Sequence, residues 1–207
     1  MRVKICGITN VADAKGALEA GADAIGLVFA ESPRRVPLER ALEITEAVGP
    51  WMTTVGVFVN EAVETIKRVA SQCRLSCVQL HGEEGVDAVK ALSSYRVTKA
   101  FQVDKDFDLK KAAGYAVDAF LFDNRMGDRC GGTGKVFDWD VLKAALMRDP
   151  RLVRRPVIVS GGLNPRNVKD VIRALSPYGV DVSSGVESTP GKKDFKLMRE
   201  FVQNAKS

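Results

Sequence analysis

The sequence predicts a single-domain (β/α)8 barrel over residues 1–207, and its regular alternation is the main reason. Short apolar segments and helical patterns alternate eight times along the chain. No segment has the alternating polarity of an edge strand, so each is typical of a parallel strand buried on both faces. A doubly wound open sheet is the main rival, but no Gly-x-Gly-x-x-Gly motif follows the first segment.

The ends of the last two predicted strands give the second reason. The seventh strand runs into Gly161 and Gly162, and the eighth runs into Ser183 and Ser184. Glycine has no Cβ, so its backbone N–H group can approach an anion closely. Because the loops after strands 7 and 8 often bind phosphate in such barrels, we predict a phosphate site at these four residues.

The eight predicted strands end at glycine or polar residues, and each is followed by a helix except where a long loop intervenes. Thr9 or Asn10 can cap the first helix, and the helix after strand 7 is expected from Pro165 to about Leu175. The loop 124–137 contains four glycines, which is typical of a lid over a substrate, and a helix is predicted at 138–147. The predicted strands are residues 3–6, 24–29, 54–59, 76–80, 96–101, 119–123, 156–160 and 180–182.

Composition indicates a cytoplasmic globular protein. The chain is 45% hydrophobic and 28% charged, and no run approaches the roughly 20 apolar residues that a membrane-spanning helix needs.

The N-terminus begins a strand rather than a signal peptide, so the four cysteines, including Cys73, Cys77 and Cys130, are expected to be reduced. The net charge is +5, but no basic strip interleaved with aromatic residues indicates nucleic-acid binding, and the basic segment 148–155 is interpreted as a solvated loop.

Catalytic candidates are expected where the strands end, because active sites of these barrels lie at that rim. Cys6 ends the first strand, and Lys4 on the same face could favour a thiolate. Asp123 ends an otherwise apolar sixth strand. A thiol and a carboxyl facing a phosphate site predict general acid–base chemistry on a sugar phosphate. The alternatives are a buried small hydrophobe for Cys6 and a turn-capping side chain for Asp123.

Polar candidates for ligand binding occur on three further segments. Arg34, or the adjacent Arg35, suits a ligand carboxylate, although a surface charge is the alternative. Gln79 and His81 end the fourth strand. The alternatives are interior packing for Gln79 and a hydrogen bond to a loop carbonyl group for His81. Asp181 lies in the eighth strand.

An ordered set of motifs runs through the chain: Lys4–Thr9, Gly21–Ala24, Ser32–Arg34, Val55–Phe58, Val78–Gly82, Asp123, Gly131–Gly134, Phe137–Trp139, Ser160–Leu163 and Asp181–Glu187. Each motif alone is modest. Together they strongly resemble the phosphoribosylanthranilate isomerase family over essentially the whole length.

The resemblance implies an Amadori rearrangement in tryptophan biosynthesis. N-(5-phosphoribosyl)anthranilate would become 1-(2-carboxyphenylamino)-1-deoxyribulose 5-phosphate, with no metal or organic cofactor. Asp123 matches the general acid that protonates the ribose ring oxygen, and Cys6 matches the general base that removes the C2′ proton. The remaining matches are Arg34 near the anthranilate, Asp181 near its nitrogen, Gln79 and His81 as a polar pair, and Gly161, Gly162, Ser183 and Ser184 around the phosphate.

This chemistry sets an expectation for two pKa values. The base must be mostly deprotonated and the acid mostly protonated near neutral pH, which reverses the order of a free thiol and a free carboxyl group. We therefore expect the site to lower the pKa of Cys6. We expect it to raise the pKa of Asp123 by burial against Phe120 and Phe122.

Two other classes compete with this interpretation. The histidine-pathway isomerase catalyses the same rearrangement on a bisphosphate, but it resembles a barrel with acidic residues at both catalytic strand ends and two phosphate sites. Here the first strand ends in Cys6, and no glycine pair follows the fourth. A non-catalytic phosphate-binding barrel would not need Cys6 or Asp123. The expected partner is a phosphorylated small molecule, with no nucleic acid and no membrane, and the chain is expected to be a monomer or a homodimer.

Overall fold

A computed structural model describes residues 1–103, 110–123, 142–144 and 155–207. Within these ranges, eight parallel strands form a closed barrel in chain order, with β1 pairing to β8. Each strand boundary lies within one residue of its predicted position, so the (β/α)8 prediction is confirmed. The strands are β1 (Arg2–Cys6), β2 (Ala24–Val28), β3 (Thr53–Phe58), β4 (Cys77–Leu80), β5 (Arg96–Gln102), β6 (Ala119–Asp123), β7 (Val157–Ser160) and β8 (Gly179–Val182).

Helices lie outside the barrel and cover its strands. They are α1 (Val11–Glu19), α2 (Leu38–Val48), α3 (Val63–Gln72), α4 (Val86–Ala91), α5 (Lys110–Ala113), α6 (Val168–Leu175) and α7 (Phe195–Lys206). A 3₁₀ turn (Ser184–Val186) and a hairpin of β9 (Glu187–Thr189) and β10 (Lys192–Lys193) separate β8 from α7. Residues 142–144 are helical, within the helix predicted at 138–147. The predicted lid at 124–137 and residues 148–154 of the basic segment lie outside the described residues.

The helix starts depend on local polar contacts. Asn10 caps α1, because its side-chain oxygen accepts a hydrogen bond from the backbone N–H of Asp13 at 2.8 Å. The expected start of α6 at Pro165 is wrong, since the helix begins at Val168. Asn164 accepts from the backbone N–H of Arg166 at 2.9 Å, and Asn167 accepts from that of Asn164 at 2.8 Å. These bonds hold residues 164–167 in a turn that delays the helix.

The core has an apolar layer between strands and helices and a polar interior inside the barrel. Ile5, Leu80 and Phe201 are among the fully buried side chains of the apolar layer. Lys4 and Asp181, by contrast, are buried and charged. In the described ranges, no helix is long and apolar enough to cross a membrane. The cysteines in these ranges, Cys6, Cys73 and Cys77, are free thiols, and Cys130 lies outside the described residues.

Candidate active site

Every predicted site residue lies in the described part of the chain, in or just after a barrel strand. Because all strands are parallel, these positions come together at one rim. β7 and β8 lie between β6 and β1, so Cys6 and Asp123 flank the two strands that end in the predicted phosphate loops. The positions are Cys6 at the end of β1, Arg34 after β2, Gln79 and His81 at the end of β4, Asp123 at the end of β6, Gly161 and Gly162 after β7, Asp181 in β8, and Ser183 and Ser184 after β8.

Cys6 occupies a narrow buried position beside a charged pair. Its neighbour across the strands is Gly26, where an added Cβ would lie 2.7 Å from the Cys6 sulfur. Glycine at position 26 therefore makes the space for the thiol. Lys4 lies two positions earlier in β1, and its Nζ donates to Asp181 Oδ1 at 3.0 Å. The side chains of Lys4 and Asp181 are 7% and 5% exposed.

The expected lowering of the Cys6 pKa is wrong. Burial raises the pKa of the Cys6 thiol, Asp181 raises it further, and the charges of Lys4 and Lys193 offset only part of the increase. Asp181 also neutralises Lys4: burial alone would lower the pKa of Lys4, but Asp181 and Cys6 together raise it above its ordinary value. Asp181 therefore balances most of the charge of Lys4, and less of that charge is left to stabilise a Cys6 thiolate.

Asp123 lies at the end of a line of three polar side chains. Gln79 Nε2 lies 3.0 Å from His81 Nδ1, and His81 Nε2 lies 3.3 Å from Asp123 Oδ2. With Gln79 donating, Nδ1 of His81 is the acceptor, so the ring hydrogen is on Nε2 and points towards the carboxyl group. Within the described structure, the buried Oε1 of Gln79 has no hydrogen-bond partner.

The expected aromatic enclosure of Asp123 is wrong. Phe120 and Phe122 stack with ring centroids 6.2 Å apart, and Phe101 stacks beside Phe122 at 6.3 Å. Strand alternation places Asp123 on the opposite face from these rings. They form part of the apolar layer beneath the helices, and the neighbour of Asp123 is His81 instead.

The loops after β7 and β8 approach each other closely. Gly161 and Gly162 have φ of +94° and +65°, a left-handed conformation that favours glycine. A Cβ at Gly162 would meet nothing within 4 Å, so this backbone faces open space. A Cβ at Gly185 would collide with the carbonyl group of Leu163, so only glycine allows the two loops to come this close. Exposed backbone of this kind can receive an anion, and the phosphate site at these residues stays a prediction.

Arg34 belongs to a charge cluster that the sequence interpretation missed. Its Nε and Nη2 both donate to Glu187 at 2.7 Å. Lys193 Nζ donates to Glu187 at 2.8 Å and to the Ser183 carbonyl oxygen at 3.1 Å. Arg35 is exposed, so Arg34 is the arginine that turns inward. A Pro190-Gly191 turn between short segments could have indicated the hairpin that sets Lys193 opposite Glu187.

A second buried pair, also missed, supports the loop after β4. Lys99 Nζ lies 2.9 Å from Glu84 Oε2, and the two side chains are 2% and 4% exposed. Glu84 also accepts hydrogen bonds from the backbone N–H groups of Gly82 and Asn60, at 2.9 and 2.8 Å. These bonds hold the segment that carries His81. Among the described residues, no group of three or more His, Cys, Asp or Glu side chains could hold a metal ion.

The arrangement is typical of (β/α)8-barrel enzymes that act on small phosphorylated ligands. Comparison with known proteins narrows this class. The family model for N-(5'phosphoribosyl)anthranilate (PRA) isomerase matches residues 3–204. The chain therefore belongs to this family, and it is an isomerase of tryptophan biosynthesis.

Individual relatives agree over their full length. The N-(5'-phosphoribosyl)anthranilate isomerase of Trichlorobacter lovleyi is 47% identical, over 100% of this chain and 98% of the relative. That of Geobacter metallireducens is 46% identical, over 100% of both. The crystal structure of the Thermotoga maritima isomerase has a TM-score of 0.90 at 44% identity, covering 100% of this chain and 98% of that one.

Two further solved structures show a relative with a bound ligand and a relative in a changed oligomeric state. One, with a TM-score of 0.87 and 42% identity, is a complex with reduced 1-(o-carboxyphenylamino)-1-deoxyribulose 5-phosphate; it covers 100% of this chain and 98% of that one. The other, from Thermotoga maritima, is a monomer made from a dimeric isomerase, at a TM-score of 0.87 and 41% identity with the same coverage.

Proposed function

We propose that the chain converts N-(5-phosphoribosyl)anthranilate to 1-(2-carboxyphenylamino)-1-deoxyribulose 5-phosphate, with Asp123 as general acid and Cys6 as general base. The observation that carries the proposal is the placement of these two groups on either side of β7 and β8. A sugar phosphate held by the loops after those strands would present its ring between them. We also propose a cytoplasmic location, which the free thiols among the described residues support.

The reaction begins at the ring oxygen. Asp123 donates a proton to this oxygen while its bond to C1′ breaks, and the lone pair of the anthranilate nitrogen forms a C1′=N iminium ion. Cys6, as the thiolate, then removes the proton from C2′. The electron pair of that C–H bond forms C1′=C2′ and neutralises the nitrogen, which gives an enolamine. Proton transfer from the C2′ hydroxyl to C1′ yields the ketone.

The raised pKa of Cys6 in the unliganded protein fits this order of events. An iminium ion next to the sulfur would favour the thiolate through its positive charge, as Lys4 and Lys193 already do. The base would thus be strongest after the ring has opened. Before that point the sulfur would be mostly a thiol, and it would release its proton to solvent as the iminium ion forms.

The remaining contacts would orient the substrate. Gly161, Gly162, Ser183 and Ser184 would hold the phosphate, and Arg34 would lie near the anthranilate carboxylate. Asp181 would lie near the substrate nitrogen. The Oε1 atom of Gln79 is buried and lacks a donor among the described residues, so it could accept a hydrogen bond from a substrate hydroxyl group. His81 would hold the carboxyl group of Asp123.

A fluorescence assay tests the proposal. Phosphoribosylanthranilate is generated in situ, and its loss is followed with the wild type, Cys6→Ser, Asp123→Asn and Cys73→Ser. We expect Cys6→Ser and Asp123→Asn each to lower kcat/KM by about 10²- to 10⁴-fold, the usual contribution of a general acid or base. Cys73→Ser is the matched control, because this buried thiol is at the end of α3 and its sulfur faces the Leu38 carbonyl.

Each result has a clear meaning. Wild-type activity in the Asp123→Asn variant would show that Asp123 is not the acid, while the function would stand. An inert wild type that still binds a ribose phosphate would favour the non-catalytic phosphate-binding barrel.

A further inference from the structure

We propose that Gln79 is a positioning residue, which fixes the hydrogen of the His81 ring on Nε2 and thereby leaves Oδ1 of Asp123 as the oxygen that carries the catalytic proton. The proposal rests on the proposed function, because the role of Asp123 as general acid belongs to it. Gln79 would act on Asp123 through the His81 ring, which lies between the two side chains.

The amide group of Gln79 is held inside the barrel. Gln79 is 1% exposed, and in the barrel register it lies between Val57 of β3 and Thr98 of β5. Strand alternation places Gln79 and His81, two positions apart, on the same side of the chain, and Gln79 Nε2 lies 3.0 Å from His81 Nδ1. A side chain packed this deeply has few alternative rotamers, so its amide group is a fixed partner for the ring.

The backbone of His81 is fixed, but its tautomer is not. The His81 N–H donates to the Phe58 carbonyl oxygen at 2.8 Å, which determines where the side chain starts. Among the described residues, the polar neighbours of the two ring nitrogens are the Gln79 amide and the Asp123 carboxyl group. The tautomer of a histidine is determined by the hydrogen bonds that its two nitrogens make. These two neighbours therefore decide where the ring hydrogen lies.

The carboxyl group determines what Gln79 must supply. An ionised carboxylate only accepts hydrogen bonds, so the Nε2 atom that lies 3.3 Å from Asp123 Oδ2 must carry the ring hydrogen. In a neutral imidazole Nδ1 is then an acceptor, and its neighbour must be a donor. The NH₂ group of Gln79 meets this requirement. The reversed amide would place Oε1 against Nδ1 and leave two acceptors facing each other.

The tautomer decides which oxygen of Asp123 is protonated. Because His81 donates towards Oδ2, that oxygen is an acceptor, and a proton on the carboxyl group belongs on Oδ1. With the opposite tautomer, a protonated Asp123 would donate to the Nε2 lone pair rather than to the ring oxygen of the substrate. Once Asp123 has released its proton, the His81 N–H still faces the carboxylate and stabilises its charge. Catalytic contacts as long as 3.3 Å often shorten when substrate binds.

Nuclear magnetic resonance tests the tautomer directly. The chain has a single histidine, so the two ring nitrogens can be assigned without ambiguity in nitrogen-labelled protein that has no histidine tag. Long-range proton–nitrogen correlation spectra are recorded at about pH 8, where a free imidazole group is neutral. We expect the wild type to carry its hydrogen on Nε2. In Gln79→Met, which removes the donor at similar length, both tautomers should be populated. In Gln79→Glu, which presents only acceptors, Nδ1 should gain a hydrogen.

Thr98→Val is the matched control, because Thr98 is a buried polar residue opposite Gln79 in the register and its hydroxyl group contacts Cys77 Sγ at 3.6 Å. It should leave the ring signals as in the wild type. A wild type with its hydrogen on Nδ1 would refute the proposal, and so would variants at position 79 that keep the wild-type pattern. The spectra need no substrate. A wild type that does not convert phosphoribosylanthranilate refutes the proposed function instead, so the two failures are distinguishable.

Turnover provides a second test, which separates action through His81 from a direct contact with the substrate. Gln79→Met should lower kcat about 2- to 10-fold, which corresponds to one hydrogen bond between neutral groups. Loss of a contact that substrate and transition state share would instead raise KM and leave kcat unchanged. In a His81→Ala background, Gln79→Met should change kcat by less than about twofold. An unchanged kcat in Gln79→Met, or equal losses with and without the His81 ring, would overturn the positioning role.

Discussion

Two buried glutamates near the barrel mouth, Glu84 and Glu187, have different electrostatic surroundings. Among the described residues, Glu84 forms one ion pair, with Lys99. Glu187 forms ion pairs with both Arg34 and Lys193. A glutamate with two cationic partners keeps one ion pair when the other is removed, whereas a glutamate with one cationic partner is left buried and unpaired. The number of cationic partners thus determines how much stability the loss of one partner should cost.

The largest expected effect on stability concerns the Glu84–Lys99 pair. Lys99→Met leaves Glu84 buried without its cation, and removing one partner of a buried pair usually costs about 3–5 kcal/mol. We expect a loss of this size in the free energy of unfolding, measured by urea denaturation. Lys193→Met should cost clearly less, because Glu187 keeps Arg34 as a partner.

The double variant Glu84→Gln/Lys99→Met sharpens this prediction. It removes both charges, so it should recover a substantial part of the stability lost in Lys99→Met. Equal losses in Lys99→Met and Lys193→Met would contradict the contrast drawn between the two glutamates.

A substitution that fills space in the core, rather than one that removes a charge, should have an intermediate effect on stability. Gly26→Ala would place a methyl group 2.7 Å from the Cys6 sulfur and 3.1 Å from its Cα, so the thiol must move. We expect a cost of about 1–3 kcal/mol in the free energy of unfolding, as for an overpacked core. Because Cys6 is the proposed base, kcat/KM should fall as well.

Gly114→Ala is the control for this substitution, because Gly114 is exposed and its nearest neighbour would be Val86 at 4.0 Å. Its effect on stability should stay within about 0.5 kcal/mol, and its activity should be that of the wild type. Wild-type stability and kinetics in Gly26→Ala would show that the thiol has more room than the structure indicates.

The smallest expected effect is a gradual loss of stability in acid. Burial raises the pKa values of both glutamates, but their bonds outweigh it: Lys99 and the Asn60 N–H lower that of Glu84, and Arg34 and Lys193 lower that of Glu187. A carboxyl group whose pKa is lower in the folded state stabilises fully above its unfolded pKa, about 4.3 for Glu. This stabilisation is lost as the pH falls through the folded pKa.

The free energy of unfolding should therefore decrease between pH 6 and pH 3 in the wild type. Glu84→Gln and Glu187→Gln should each be less stable at pH 6 and should each show a shallower decrease. Chemical denaturation at a series of pH values measures both quantities. A decrease as steep as that of the wild type in both variants would mean that other carboxyl groups control the acid transition.

The strands and most of the candidate residues could be predicted because their signals are local. Each strand is a short apolar run bounded by glycine or polar residues, so its ends were predicted to within one residue. Once the barrel was predicted, its topology placed Cys6 at the end of β1 and Asp123 at the end of β6. The start of α6 was missed because two asparagine side chains, rather than backbone preference, determine it.

Contacts between distant segments could not be predicted in the same way. Arg34 and Glu187 are 153 positions apart, and Lys4 and Asp181 are 177 apart. The sequence does not show which of these charged side chains form ion pairs with each other. The predicted direction of the Cys6 pKa shift was wrong for this reason. Lys4 lies two positions from Cys6 in the sequence, but the sequence does not show that Asp181, which neutralises Lys4, lies beside it.

The sequence by itself determined the closed (β/α)8 barrel, the rim at which the site lies, and the family to which the chain belongs. These follow from periodicity and from short motifs, which are properties of neighbouring residues. Only the tertiary structure decided the line from Gln79 to Asp123, the inward turn of Arg34 and the sharing of Glu187 between two cations. The physical reason is that electrostatic energies depend on distance and burial, and folding sets both for residues that are far apart in the chain.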